Sequence, residues 1–140
     1  MSDKRRLARL KRLETVRAIA RQNAAAEAAA AEGTLAQLLA LAERTGRLAA
    51  DYTGRTAPDD GDALRRLSGF RSGLVGVEQA TRDDARRAQA VADARLHELS
   101  QAERRRQVAA DRADAVRRAI AARGAQPPLG ARKAIGTDLD

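Results

Sequence analysis

The chain has 140 residues, of which 44% are hydrophobic, but its aromatic residues are one tyrosine and one phenylalanine, and alanine dominates the apolar set. Alanine removes little apolar area from water, which excludes a thick globular core. The formal net charge is +8, from 27 Lys and Arg against 19 Asp and Glu. The absence of cysteine excludes disulfides and thiolate metal sites and fits a reducing compartment.

The first part of the chain predicts one long helix, at about residues 3–53. Its alanine-rich and basic composition favours helix, and apolar residues return every three or four positions. We call the line of residues that faces the other helix the seam. In this helix the predicted seam is Leu10, Leu13, Arg17, Ala20, Ala24, Glu27, Ala31, Thr34, Leu38, Leu41, Thr45, Leu48 and Tyr52. Arg17 and Glu27 fit this seam poorly, so we expect either a polar pair that fixes the register or a local stutter.

Residues 54–61 predict a turn. Gly54 can take the left-handed position after a helix, and Pro58 forces its predecessor out of helical geometry. Asp59, Asp60 or Asp62 can then cap the next helix. Because a short connection usually joins antiparallel neighbours, the turn predicts a helical hairpin.

Residues 62–123 predict the second helix, which would be roughly 90 Å long. Its predicted seam is Leu67, Phe70, Leu74, Val77, Thr81, Ala85, Ala88, Ala92, Leu96, Leu99, Ala102, Ala109, Ala113, Val116 and Ile120. Gly124 is a candidate cap, and residues 124–140, with Pro127 and Pro128, predict a flexible tail. The predicted fold is therefore all-α: an antiparallel two-helix coiled-coil hairpin over residues 1–123, forming a long rod.

Three glycines in the second helix, Gly69, Gly73 and Gly76, lie on one face at a combined cost near 3 kcal/mol relative to alanine. One interpretation is that they allow close backbone contact with the facing helix. The other is that they form a soft segment, which leaves Phe70 and its neighbours free to meet another protein.

The sequence gives no support for catalysis, a metal site or a cofactor. His97 is the only histidine, and Asp83 and Asp84 are adjacent helical residues whose side chains diverge. The longest apolar stretch without a charge, residues 33–42, is too short for a membrane span of about 20 residues. We therefore predict a non-enzymatic, cytoplasmic protein without a transmembrane segment.

Positive charge is concentrated in two segments. Residues 1–30 have a net charge of +5 and residues 63–123 of +6, whereas residues 31–62 have −3. An antiparallel hairpin would bring the basic ends together, away from the acidic turn. Non-specific nucleic-acid binding is one alternative that this charge allows, although aromatic stacking platforms are missing. A purely structural, oligomerising coiled coil is the other alternative.

These features together resemble the FliJ family, small coiled-coil proteins of the flagellar type III export apparatus. The resemblance spans roughly residues 4–123 and rests on the basic first helix, its alanine-rich continuation, the short turn and the early Phe-x3-Leu cluster of the second helix. In this family a phenylalanine, a leucine, a small apolar residue and a histidine bind the FlhA-type export gate. Phe70, Leu74 and Val77 match that pattern, and Thr81 stands in place of the histidine.

The resemblance implies a stalk that links the export ATPase hexamer to the export gate and handles export chaperones. The implied location is the cytoplasmic face of the inner membrane at the flagellar base, where the protein would be peripheral. It also implies that basic residues at the far end of the hairpin contact the ATPase. These candidates are Arg5, Arg6, Arg9, Lys11, Arg12, Arg104, Arg105 and Arg106.

Overall fold

The computed structural model describes residues 2–54 and 60–125. It contains two helices, α1 (Ser2–Thr53) and α2 (Gly61–Ala125), and no strand within the described ranges. The all-α helical hairpin predicted from the sequence is confirmed. The predicted roles of Pro58 and Asp59 fall outside the described residues, as does the predicted tail beyond Ala125.

The start of α2 is capped by Asp60. Its Oδ1 accepts hydrogen bonds from the backbone N–H groups of Asp62 at 2.6 Å and Ala63 at 3.4 Å, and its carbonyl accepts one from Leu64 N at 3.1 Å. An aspartate cap of this kind stabilises a helix by about 1 kcal/mol. Among the three candidate aspartates, the structure therefore assigns the cap to Asp60.

Neither predicted glycine cap adopts the left-handed conformation. The N–H of Gly54 continues the helical pattern by donating to Ala50 O at 3.1 Å, and no described glycine has a positive φ. The prediction of a left-handed Gly54 is therefore wrong. α2 passes through Gly124 and ends at Ala125, two residues beyond the predicted end at Arg123.

The chain divides into two units, and each helix contributes to both. Unit 1 comprises Met1–Gln22 and Gln101–Asp140, and unit 2 comprises Asn23–Ser100. In unit 1 Asp3 pairs with Arg123, and Arg21 pairs with Glu103 at 2.9 Å. In unit 2 Glu27 pairs with Arg95 at 3.9 Å, and the rings of Tyr52 and Phe70 are in contact. Residue numbers rise along α1 as they fall along α2, so the helices are antiparallel in each unit.

Burial along α1 has a heptad spacing from Ala24 to Tyr52, and eight of the thirteen predicted seam residues are at least half-buried. These are Leu10, Leu13, Arg17, Ala24, Ala31, Leu38, Thr45 and Tyr52. At the alternate positions from Glu27 onward, the structure buries the residue that follows the predicted one, whereas Ala20 and Arg21 are both exposed. Ala42, which is fully buried, replaces Leu41, which is 42% exposed, and Ala49 likewise replaces Leu48.

The seam also differs from the prediction at Glu27 of α1 and in α2. Ala28 is buried in place of Glu27, so no stutter is needed, and Glu27 lies beside the seam where it reaches Arg95. In α2 the seam takes Glu78 instead of Val77 and Arg95 instead of Leu96. The predicted seam residue Phe70 is also exposed.

The core of unit 2 is a thin layer in which alanine is central. Leu35, Ala85 and Ala92 form its buried cluster, and Ala31, Leu38 and Ala88 pack against it. A methyl side chain lets two helix backbones approach closely, whereas a leucine at the same position needs a wider separation. Packing therefore places Leu41 and Leu48 beside the seam and alanine inside it.

Candidate functional site

Phe70 lies at the edge of the seam in unit 2. Its ring meets that of Tyr52 edge-on, with a centroid distance of 4.8 Å and an interplanar angle of 68°. The side chain nevertheless remains 49% exposed. Phe70 therefore combines an intramolecular contact that fixes its position with an accessible apolar surface.

The other predicted gate-binding residues do not share one exposed face. Val77 is 52% exposed, whereas Leu74 is half-buried in the seam. Thr81 is buried, and its hydroxyl donates to the carbonyl of Val77 at 2.8 Å. A partner that docks on the surface of unit 2 can thus contact Phe70 and Val77 directly, but the Thr81 side chain is taken up by its own helix.

The structure adds two residues of α1 to this surface. Leu41 and Leu48 come one position before the buried Ala42 and Ala49. Val77 likewise comes one position before the half-buried Glu78, and Phe70 lies one heptad before Val77. In an antiparallel pair, positions with this relation to the seam lie on the same side of it. We define Leu41, Leu48, Phe70 and Val77 as the apolar strip. All four side chains are more than 40% exposed.

The three glycines near Phe70 make no close contact with α1. A Cβ built on Gly69, Gly73 or Gly76 would meet nothing within 4 Å. The interpretation that they allow close contact with the facing helix is therefore wrong. The interpretation that they leave this part of α2 open to a partner stays a prediction.

The glycine that permits a close approach is Gly46. A Cβ there would lie 2.8 Å from Oε1 of Glu78, a carboxylate that also binds Arg82 at 3.0 Å. Sequence reasoning missed this contact because Glu78 was expected to be outside the seam. The available signal in the sequence was a glycine, Gly46, opposite a charged residue, Glu78, which indicates that a larger side chain would not fit there.

Unit 1 carries most of the positive charge. Its described residues include fifteen Lys and Arg against five Asp and Glu, a net charge of +10, whereas those of unit 2 sum to −2. The predicted ATPase-contact residues of α1 are all exposed; these are Arg5, Arg6, Arg9, Lys11 and Arg12. In α2, Arg104 and Arg105 are exposed, but Arg106 is half-buried and binds Glu103 at 2.7 Å.

Arg104 and Arg105 line a groove between the two helices of unit 1. The groove is completed by residues that were not predicted as site residues: Leu13, Arg17, Val108, Ala109 and Arg112. We define these seven residues as the arginine groove. Four of the lining residues are arginines and none is acidic. We call the three apolar lining residues, Leu13, Val108 and Ala109, the floor of the groove.

Glu103 of α2 binds two arginines, and through Arg21 it links the two helices of unit 1. It binds Arg106 at 2.7 Å within α2 and Arg21 of α1 at 2.9 Å. The hydrogen bond from Arg106, helped by the charges of both arginines, outweighs partial desolvation and lowers the pKa of Glu103. The ion pair of Glu103 with Arg21 and that of Asp3 with Arg123 are polar contacts between the two helices that favour one register in unit 1.

The ion pairs of Glu103 predict a pH-dependent effect of Glu103→Gln on stability. Because the pKa of Glu103 is lower in the folded state, its ionised form stabilises the hairpin above the unfolded pKa of about 4.3. That contribution is lost as the pH falls through the folded pKa. We expect Glu103→Gln to lower the melting temperature at neutral pH and to have a progressively smaller effect at acidic pH, as the pH falls below about 4.3; circular dichroism would measure both.

Glu43→Gln is the matched control for this prediction. Glu43 lies 3.8 Å from Arg47 on the same helix, and both side chains are 69% exposed. Its substitution should change the melting temperature little at either pH. An equal effect of the two substitutions would contradict a specific role of Glu103.

Neither helix contains a segment that is long and apolar enough to cross a membrane, within the described residues. In the same part of the chain, no group of three His, Asp or Glu side chains could hold a metal ion. Comparison with family models, curated proteins and solved structures gives no match. The resemblance to FliJ therefore rests on the residues that carry it.

Proposed function

We propose that this protein is a non-enzymatic component of the flagellar type III export apparatus, in which it links the export ATPase to the export gate and handles export chaperones. The observation that carries the proposal is the exposure of Phe70 and Val77 in the apolar strip. Large apolar side chains that stay exposed together on a surface mark sites of protein association. The export gate is the partner that the Phe-x3-Leu cluster implies.

The division of charge supports a second contact. The ATPase contact is assigned to unit 1, where the exposed basic residues of α1 lie on the same unit as the arginine groove. The gate contact is assigned to unit 2, where the apolar strip lies. The protein would act at the cytoplasmic face of the inner membrane, as a peripheral subunit.

The gate contact predicts that Phe70→Ala together with Val77→Ser weakens binding to the cytoplasmic region of the export gate encoded in the same genome. Truncation of exposed aromatic and apolar anchors of this kind weakens the binding free energy by about 2 kcal/mol or more, which is roughly a thirtyfold loss of affinity. Isothermal titration calorimetry would measure the loss. The helical circular dichroism should remain nearly unchanged because both side chains lie outside the buried seam.

Val75→Ser provides a matched control on the same helix. Val75 is 45% exposed, close to the value for Val77, but it lies on the opposite side of the seam. It should leave gate binding intact. The proposal fails if the gate region does not bind the unmodified protein, or if Val75→Ser weakens binding as much as Val77→Ser alone.

A further inference from the structure

We propose that the arginine groove of unit 1 binds an acidic amphipathic helix of a partner protein. The proposal concerns unit 1 alone and does not depend on the export function. It rests on the residues that line the groove, which are apolar residues from both helices together with four arginines.

The arginines of the groove favour carboxylates. A guanidinium group presents a planar fork of N–H donors that matches the two oxygens of a carboxylate. Among the lining residues, Arg17 of α1 and Arg105 and Arg112 of α2 carry such a group. No acidic residue lines the groove, and the described part of unit 1 has a net charge of +10. A partner surface that complements the groove electrostatically is therefore negatively charged.

The floor of the groove favours an apolar ridge on the partner. Leu13, Val108 and Ala109 form it, and Val108 is 48% exposed. A docked leucine or valine would remove this apolar surface from water, which a free anion cannot do. An amphipathic helix supplies both an apolar ridge and charged flanks, in the manner of helices that lie in grooves.

The spacing of the arginines also fits a helix. Arg105 and Arg112 are seven residues apart on α2, so their Cα atoms are separated by about 10.5 Å along the axis. Acidic residues seven positions apart on a partner helix have the same spacing. Such a helix lying along the groove would present a glutamate or aspartate to each arginine while its leucines face the floor.

Nucleic acid fits the groove less well. A phosphate backbone would pair with the arginines but leaves the apolar floor uncovered. Base stacking on aromatic side chains is the usual contribution beyond charge. The only aromatic residues of the chain, Tyr52 and Phe70, both belong to unit 2.

The test uses the full chain and a fluorescein-labelled synthetic peptide. The peptide carries leucines three and four positions apart on one face and glutamates on both flanks, and fluorescence anisotropy reports binding. A second peptide has the same composition in an order that scatters its leucines around the helix. We expect the first peptide to bind about tenfold or more tightly than the second, because only the first can cover the floor while pairing with the arginines.

Three variants separate the groove from bulk charge. Arg105→Glu with Arg112→Glu should weaken binding of the first peptide by about tenfold or more. Arg66→Glu with Arg118→Glu makes the same change in net charge at exposed positions outside the groove, and it should weaken binding much less. Val108→Ser tests the floor of the groove. It should weaken binding of the first peptide without changing binding of the second.

Several results would overturn the proposal. Equal weakening by the two double variants would mean that the peptide senses only net charge. Equal affinity for the two peptides would mean that the floor is not used. Tighter binding of a random single-stranded oligonucleotide, insensitive to Val108→Ser, would assign the groove to nucleic acid. A dimer in sedimentation that dissociates on Arg105→Glu with Arg112→Glu would assign it to a second copy of the chain.

Discussion

Replacing Ala92 with leucine is expected to lower the free energy of unfolding by about 1–3 kcal/mol. Ala92 is fully buried and belongs to the cluster with Leu35 and Ala85. Three additional heavy atoms at this position have no space unless the two helices separate. Separation would in turn loosen the neighbouring alanines, whose contacts depend on close approach of the backbones.

Urea unfolding followed by far-ultraviolet circular dichroism would measure this effect. Ala90→Leu is the control, because Ala90 is exposed on the same helix two residues earlier. It should change stability by only a few tenths of a kcal/mol, the difference in helix propensity between the two residues. If Ala92→Leu were neutral or stabilising, the alanine seam would not set the distance between the helices.

Replacing Gly69, Gly73 and Gly76 together with alanine is expected to raise the free energy of unfolding by about 3 kcal/mol. Alanine loses less backbone freedom on folding than glycine, and all three positions are inside α2. The added methyl groups would meet nothing within 4 Å, so no clash offsets the gain. Thermal or urea unfolding would give the change.

Gly46→Ala is the comparison for this prediction. Its new Cβ would lie 2.8 Å from the carboxylate of Glu78, which must move away and thereby disturb its ion pair with Arg82. The gain should therefore be smaller than the average for each of the three open glycines. A loss of stability in the triple variant would show that these positions need glycine for a conformation other than the observed helix.

The triple variant also tests the use of these glycines in binding. If they form a soft segment for the export gate, the more stable variant should bind the gate region less well than the unmodified protein. If gate binding is unchanged in the more stable variant, the interpretation that the glycines form a soft segment for binding is contradicted. The binding measurement is independent of the unfolding measurement, so the two predictions can fail separately.

Two of the four residues of the apolar strip were predicted as site residues from the sequence, and the two from α1 were not. Phe70 and Val77 were predicted as site residues from the resemblance to FliJ, whereas the spacing of apolar residues had placed both in the seam; both lie on the surface of unit 2. Leu41 and Leu48 were assigned to the seam because leucine is more hydrophobic than alanine. The sequence pattern could not show that Leu41 and Leu48 would lie outside the seam. A seam through these leucines and one through the alanines that follow them both give apolar repeats.

The sequence by itself determined the two helices, their antiparallel order and an aspartate cap at the start of α2, for which three aspartates were candidates. These features depend on local propensity, on the side-chain hydrogen bond of Asp60 and on the short connection, all of which are encoded in adjacent residues. Only the tertiary structure decided which residues form the seam. In α1, close approach of the two backbones favours the smaller of two neighbouring apolar side chains, so Ala42 and Ala49 are buried and Leu41 and Leu48 are left exposed.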